Sequence, residues 1–241
     1  MIKRIPIHKF REILSNDIVQ ISDRHKDEMA IPSYLHRNFM VRWLMWKRYE
    51  HISIMSAFSN DLTVLEFGCG IGVFLPELDQ RCGKVYAIDI FPEYAMLLSA
   101  EFDLNIHFIN RLSEVPNNSL DIIIAADVLE HLNDDELIKY FGIFSKKLKA
   151  NGRLIMSGPT ENIIYKIGRV IAGFSDKGDY HHTNINKLIN VTISYFDLNR
   201  TKYLPFRFPP FLFKICEFEQ LRTKHSSCRV KYRSLGLNEV E

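Results

Sequence analysis

Three glycines, Gly68, Gly70 and Gly72, alternate with other residues directly after an apolar run that carries an acid, Glu66. A β-branched apolar run followed by glycines predicts a buried parallel strand that turns sharply into a helix. Because glycine has no Cβ atom and tolerates unusual φ values, the backbone of this turn would let a ligand approach closely. We therefore predict a cofactor-binding loop formed by Glu66, the three glycines and Cys69.

The spacing of the glycines separates two classes of cofactor. Dinucleotide sites use G-x-G-x-x-G and place a pyrophosphate at the following helix. The spacing here is G-x-G-x-G, with Glu66 two residues before the first glycine. A carboxylate would repel a pyrophosphate, whereas it is favourable near the cationic sulfonium and amino group of S-adenosylmethionine. The loop therefore favours a zwitterionic ligand over a polyanionic one.

An acid followed by G-x-G-x-G is the first motif of the class I S-adenosylmethionine-dependent methyltransferases, and the chain resembles this family (types 11 and 23) over residues 64–159. The resemblance implies an α/β fold, with a Rossmann-like, doubly wound, mainly parallel seven-stranded sheet, an antiparallel last strand and helical insertions. It also implies S-adenosylmethionine as cofactor. Two alternatives stay open: a nicotinamide-dependent oxidoreductase, which the glycine spacing disfavours, and a non-catalytic cofactor-binding module.

Asp89 ends the second predicted strand, at residues 83–89. A carboxylate at this position of a doubly wound sheet can accept hydrogen bonds from the two hydroxyls of a ribose. The competing interpretation is an N-cap for the helix that starts near Pro92. We predict that Asp89 binds the ribose and that its neighbour Ile90 also lines the cofactor site.

The adenine side of the site departs from the family pattern. Many of these methyltransferases have an aspartate after the third strand, which contacts the adenine amino group. This chain has Asn110, Arg111 and Leu112 instead. Because Arg111 cannot accept a hydrogen bond from an amine, Asn110 and Leu112 are the candidates, with a backbone carbonyl as the alternative.

Residues 120–126 form the most strand-like run in the chain and are followed by Asp127, Glu130 and His131. Ligands of open α/β sheets lie at the carboxyl ends of the strands, so Asp127 is expected to contact the cofactor and face the acceptor. The sequence V-L-E-H-L is typical of the family. The three residues also resemble the divalent-ion motif of ubiquinone-biosynthesis O-methyltransferases. We expect no metal, and these three residues are the candidate ligands if one binds.

An oxygen or nitrogen acceptor must lose a proton, and histidine has a suitable pKa for this step. The candidate bases are His181 and His182, with Tyr180 beside the acceptor, and His131. The alternative is a loop of exposed histidines that caps the next helix. The family resemblance favours a small-molecule or lipid-like acceptor that is methylated at oxygen.

We expect a single domain of 241 residues, since 46% apolar composition suffices for one sizeable core. Its predicted parts are an N-terminal helical cap (1–58), a cofactor-binding core (59–158), an acceptor-side insertion (159–190), and the last strands and tail (191–241). Strands six and seven are predicted at residues 191–196 and 201–206, whereas the prolines of residues 206–215 argue against a central strand there.

The net charge of +2 and the lack of an N-P-P-Y-type motif argue against a nucleic-acid partner. The chain has no signal-peptide pattern, and its four cysteines are scattered, which predicts a reduced, cytoplasmic protein. Aromatic and basic residues crowd the helix after Ser33, and phenylalanines crowd residues 206–213. Both stretches fit peripheral membrane contact or a lid over an apolar acceptor, with ordinary core packing as the alternative. The oligomeric state is left open.

Overall fold

The computed structural model describes residues 2–15, 31–160, 184–205 and 211–221. In these residues seven α-helices run along the chain in the order α1 Ile7–Leu14, α2 Ile31–Tyr34, α3 Phe39–Ser56, α4 Leu75–Arg81, α5 Glu93–Glu101, α6 Asp134–Lys147 and α7 Ile185–Thr192. The strands of the same residues are β1 Thr63–Phe67, β2 Lys84–Ile88, β3 Ile106–Phe108, β4 Leu120–Ala126, β5 Leu148–Pro159, β6 Phe196–Leu204 and β7 Phe213–Gln220.

The strands form one sheet in the order β3-β2-β1-β4-β5-β7-β6. Neighbouring strands from β3 to β5 pair in parallel, while β7 runs antiparallel to both β5 and β6. The strand order reverses between β1 and β4, and the carboxyl ends of these strands border the crevice in which such sheets bind ligands. The predicted fold class is confirmed.

The central strands are buried on both faces, as expected of a parallel sheet covered by helices. Successive side chains of a strand point to opposite faces. Val64 and Ile122 therefore pack with α3, α4 and α5, whereas Leu65 and Ile123 pack with α6 and α7. Packing on both faces fixes the positions of β1 and β4, and therefore also the positions at which the loops after these strands begin.

Both predicted C-terminal strands are wrong in position. Residues 191–196 do not form a strand, because α7 continues to Thr192. Asn184 caps this helix by accepting from the backbone amides of Asn186 and Lys187, and Leu188 and Thr192 are buried with helical spacing. The β-branched residues at its end are typical of a strand by local composition, and only the buried helix face that they complete identifies the helix.

The predicted seventh strand, residues 201–206, overlaps the end of β6, and the antiparallel strand is β7. The expectation that residues 206–215 exclude a central strand is also wrong, since Phe213–Ile215 pair with both β5 and β6. Pro209 and Pro210 precede this pairing, and residues 206–210 lie outside the described ranges, as do residues 161–183 with most of the predicted insertion.

Helix α3 is fastened to the sheet at its C-terminal end. Arg153 donates to the backbone oxygens of Met55 and Ser56, and Arg200 also donates to that of Met55. Both arginines pair with the fully buried carboxylate of Glu217 on β7. These bonds satisfy helix carbonyls that have no partner within the helix, so α3 is held at a defined position over the sheet.

Candidate cofactor site

The glycine loop connects β1 to α4, and Gly68, Gly70 and Gly72 have φ values of +77°, +54° and +77°. This is the left-handed region in which other residues are strained. A Cβ atom at Gly68 would lie 2.4 Å from Cγ2 of Val128, which follows β4. The amides of Gly68 and Cys69 both donate to the backbone oxygen of Ile88, at 2.9 and 3.1 Å. The loop is therefore pressed against the ends of β2 and β4.

Asp89 follows β2 and reaches across to this loop. Its Oδ2 accepts from the Gly70 amide at 2.7 Å, and its Oδ1 accepts from the Phe91 amide at 3.0 Å. Burial raises the pKa of Asp89, and these backbone hydrogen bonds oppose the rise. The N-cap of α5 is Pro92, so Asp89 does not cap that helix. Next to it, Ile90 is 85% exposed, which leaves an apolar surface open beside the carboxylate.

Glu66, in β1, is only 1% exposed, and its Oε2 has no hydrogen-bond partner in the described part of the chain. Burial and the nearby Asp89 carboxylate raise the pKa of Glu66 well above its ordinary value. A buried polar atom without a partner is costly. A cationic ligand group beside Glu66 would supply a partner and favour the ionised acid.

Arg48, on α3, brings a buried cation to the same region. Its guanidinium is 3% exposed, forms an ion pair with Asp127, and donates from Nη2 to the Tyr34 hydroxyl at 3.2 Å. It lies over the rings of Tyr49 and Phe213, 5.1 and 5.4 Å from their centroids. Its Nε has no hydrogen-bond partner among the residues described. One donor edge therefore remains for a ligand anion.

Arg48 and Glu66 belong to one electrostatic environment. The buried hydroxyls of Tyr34 and Tyr49 respond to both charges: burial raises the pKa of each tyrosine, the Arg48 charge lowers it and the Glu66 charge raises it. The arrangement thus places a donor for an anion and an acceptor for a cation near the same two tyrosines. This pair of groups is complementary to the carboxylate and ammonium of an amino acid.

The crowding of aromatic and basic residues after Ser33 does not by itself distinguish Arg48 from the other basic residues of this helix. A signal was present in the spacing. Met45, Arg48, Tyr49 and Ile52 recur at intervals of three and four and are all buried. A charge on the buried face of an amphipathic helix is expensive unless it is paired, so its position marks it as a candidate functional residue.

Asp127 follows β4 with a φ of +54°. Its amide donates to the backbone oxygen of Ser157, and its Oδ1 accepts from the Ser157 hydroxyl at 2.6 Å. Its Oδ2 pairs with Arg48. Both carboxylate oxygens are thus engaged by the protein, next to the glycine loop.

Glu130 and His131 lie in a short 3₁₀ helix, Leu129–His131. Glu130 is buried and acts electrostatically on Arg48, and His131 is partly exposed. Within the described ranges, no three histidine, cysteine or acidic residues are grouped so that they could hold a metal ion. The three candidate ligands, Asp127, Glu130 and His131, therefore do not form such a group.

The remaining predicted site residues differ in what the structure offers. Asn110 is exposed, while its amide donates to Oε1 of Glu114 at 2.9 Å. Leu112 is buried in the core below α6 and β4, so packing accounts for it. The candidate bases His181 and His182 lie outside the described residues, and their role stays a prediction.

A family model for the methyltransferase domain matches residues 57–197, more than half of the chain. The chain belongs to this methyltransferase family. The match includes the glycine loop, Asp89 and Asp127, and it confirms the family predicted from these motifs. Arg48 lies before the matched region.

Two relatives are enzymes with different acceptors. Phosphoethanolamine N-methyltransferase 1 from Triticum aestivum is 30% identical over 118 residues, which cover 46% of this chain and 24% of the wheat protein. A ubiquinone biosynthesis O-methyltransferase from Xanthomonas oryzae pv. oryzae is 24% identical over 163 residues, 60% of this chain and 67% of that protein. The chain thus spans about a quarter of the length of the wheat relative.

Solved structures share the fold at low sequence identity. The N-methyltransferase NodS from Bradyrhizobium japonicum WM9, in complex with S-adenosylhomocysteine, aligns with a TM-score of 0.54 and 16% identity over 90% of this chain and 98% of NodS. Magnesium protoporphyrin IX methyltransferase from Synechocystis PCC 6803, also with S-adenosylhomocysteine, gives a TM-score of 0.55 and 18% identity over 89% and 94% of the two chains.

Proposed function

We propose that this protein transfers a methyl group from S-adenosylmethionine to a small-molecule or lipid-like acceptor. The observation that carries the proposal is the pair of buried atoms without partners, Arg48 Nε and Glu66 Oε2, beside the glycine loop. An amino-acid group would satisfy both. The bound cofactor supplies a methyl group already activated by its sulfonium, so the protein has mainly to bind, orient and exclude water.

The residues divide the work of holding the cofactor. The glycine loop lets the ligand approach the protein backbone closely. Asp89 accepts hydrogen bonds from the ribose hydroxyls, and Ile90 offers an apolar surface to the adenine. Arg48 would bind the carboxylate, and Glu66 would lie near the ammonium. Since Asp89 already holds the Gly70 amide, it can bind a ribose without rearranging the loop.

We favour oxygen as the acceptor atom. Support comes from the O-methyltransferase relative, which aligns over more of this chain and of its own length than the N-methyltransferase relative does. An oxygen acceptor needs a base, and His131 lies at the carboxyl end of β4 where the acceptor would bind. His181 and His182 remain the other candidates.

The proposal is tested by titrating the purified protein calorimetrically with S-adenosylmethionine, S-adenosylhomocysteine and NADH. We expect the first two to bind with micromolar dissociation constants, which correspond to a binding free energy on the order of 8 kcal/mol. We expect NADH not to bind. Radiolabelled methyl transfer is then measured to a phenolic lipid quinol and to phosphoethanolamine. Label only in phosphoethanolamine would overturn the choice of oxygen, and binding of NADH alone would overturn the methyltransferase activity.

We further propose that the N-terminal end of α3 contacts anionic membrane surfaces, where a lipid-like acceptor would be found. Phe39 and Met40 are 64% and 54% exposed, and the exposed Arg37 lies two residues before Phe39. Apolar side chains beside a cation suit an anionic bilayer surface. In the described residues, no helix combines the length and apolar character needed to cross a bilayer.

Flotation with anionic liposomes at low salt measures this contact. The variant with Phe39→Ser and Met40→Ser is expected to lose most of the bound fraction, because the apolar part of the contact is removed. Ile54→Ser is the matched control, since Ile54 is 69% exposed near the opposite end of the same helix. Equal binding by the double variant and the wild type would assign these side chains to another role.

A further inference from the structure

Ser157 contacts Asp127 twice, and Arg48 also pairs with the Asp127 carboxylate. Ser157 lies near the end of β5, opposite Ala126 of β4, and is buried. Its backbone oxygen accepts from the Asp127 amide at 3.1 Å, and its hydroxyl donates to Asp127 Oδ1 at 2.6 Å. Ser157 thus holds both the main chain and the side chain of the first residue after β4.

These two bonds act on a residue in an unfavourable backbone conformation. Asp127 has a φ of +54°, and a non-glycine residue keeps such a value only when its surroundings impose it. With the backbone turned and Oδ1 held by the hydroxyl, Oδ2 is directed to Arg48. The position of the carboxylate is therefore set by β5 as well as by β4.

The Arg48 guanidinium is held from two sides. Asp127 pairs with it, and the Tyr34 hydroxyl accepts from Nη2 at 3.2 Å, while Nε has no partner in the described part of the protein. A planar guanidinium binds a carboxylate well only when its donor edge is correctly oriented. The orientation of that edge depends on Asp127, and the orientation of Asp127 depends on Ser157.

We propose that Ser157 is a positioning residue for cofactor binding. It fixes the Asp127 carboxylate, which in turn orients the Arg48 guanidinium toward the carboxylate of the amino-acid part of S-adenosylmethionine. This inference rests on the proposed function. Ser157 acts through two other residues, and its effect is confined to the amino-acid end of the ligand.

Two ligands separate this role from a general structural one. S-adenosylhomocysteine carries the amino-acid group, and 5′-methylthioadenosine has the same adenosine and sulfur without it. Ser157→Ala is expected to weaken the binding of S-adenosylhomocysteine by about tenfold, which is the effect of losing a hydrogen bond to a charged group. The affinity for 5′-methylthioadenosine is expected to stay unchanged, and Ser157→Thr, which keeps the hydroxyl, is expected to restore most of the loss.

Thr160→Val is the matched control. Thr160 follows β5, and its buried hydroxyl donates to the backbone oxygens of Phe211 and Leu212, away from Asp127. Removing that hydroxyl is expected to leave both affinities unchanged. Asp127→Asn is the second variant if Ser157→Ala does not fold: it keeps the shape of the side chain, removes its charge, and is expected to show the same selective loss.

The outcomes are distinguishable. If Ser157→Ala weakens the binding of both ligands equally, or of neither, the positioning role is wrong while the proposed function stands. If Asp127→Asn binds both ligands as the wild type does, the role is wrong as well. Failure of the wild type to bind S-adenosylhomocysteine would overturn the proposed function, and the inference with it.

Discussion

Replacing Asp89 with alanine is expected to weaken S-adenosylhomocysteine binding by about 10- to 100-fold, or roughly 1–3 kcal/mol. The variant removes the proposed acceptor for both ribose hydroxyls. It also removes the partner of the Gly70 amide and of the Phe91 amide. Since the carboxylate that we propose for the ribose also holds the loop around it, we expect a result near the upper end of the range.

Calorimetric titration measures this effect, and Asp121→Ala is the matched control. Asp121 also accepts from a backbone amide, that of Thr63, and pairs with Lys149. It lies in β4 beside the first residue of β1, at the end of the sheet remote from the glycine loop. Its loss is expected to lower stability without changing affinity. An unchanged affinity in Asp89→Ala would remove Asp89 from the site.

The second large effect is expected at Arg48. Arg48→Leu is predicted to weaken the binding of S-adenosylhomocysteine by about 100-fold, because the proposed hydrogen-bonded charge pair with the ligand carboxylate is lost. It also leaves Asp127 and the buried Glu130 without their nearby cation, which is expected to cost about 3–5 kcal/mol of stability. Binding of 5′-methylthioadenosine, which lacks the carboxylate, is expected to change little.

Arg48→Lys separates the two contributions. Lysine keeps the positive charge beside Asp127 and Glu130, so most of the stability is retained, but it has no Nε donor and no planar fork. We expect about tenfold weaker S-adenosylhomocysteine binding with a nearly unchanged urea midpoint. Arg42→Lys on the same helix is the control, because Arg42 donates to the backbone oxygens of His36 and Arg37 near the start of α3. If Arg48→Lys binds the ligand like the wild type, Arg48 does not contact the carboxylate.

The second and fourth strands, predicted at residues 83–89 and 120–126, agree with β2 Lys84–Ile88 and β4 Leu120–Ala126 to within one residue at each end. Buried parallel strands are short apolar runs bounded by turn residues, and that pattern is local. The last two strands could not be located in this way. Residues such as Val191 and Thr192 are compatible with strand or helix, and the choice depends on whether the face they complete packs on β5.

The cofactor site divides in the same way. The sequence by itself predicts the glycine loop and Asp89, because both are local patterns: three alternate glycines that adopt positive φ after one strand, and an acid directly after the next strand. Only the tertiary structure brings Arg48 and Ser157 to Asp127, since they lie 79 and 30 residues from it in the chain. Burial and pairing depend on the packing of α3 and β5 around β4, and a charge or hydroxyl carries no local sign of whether it will be buried.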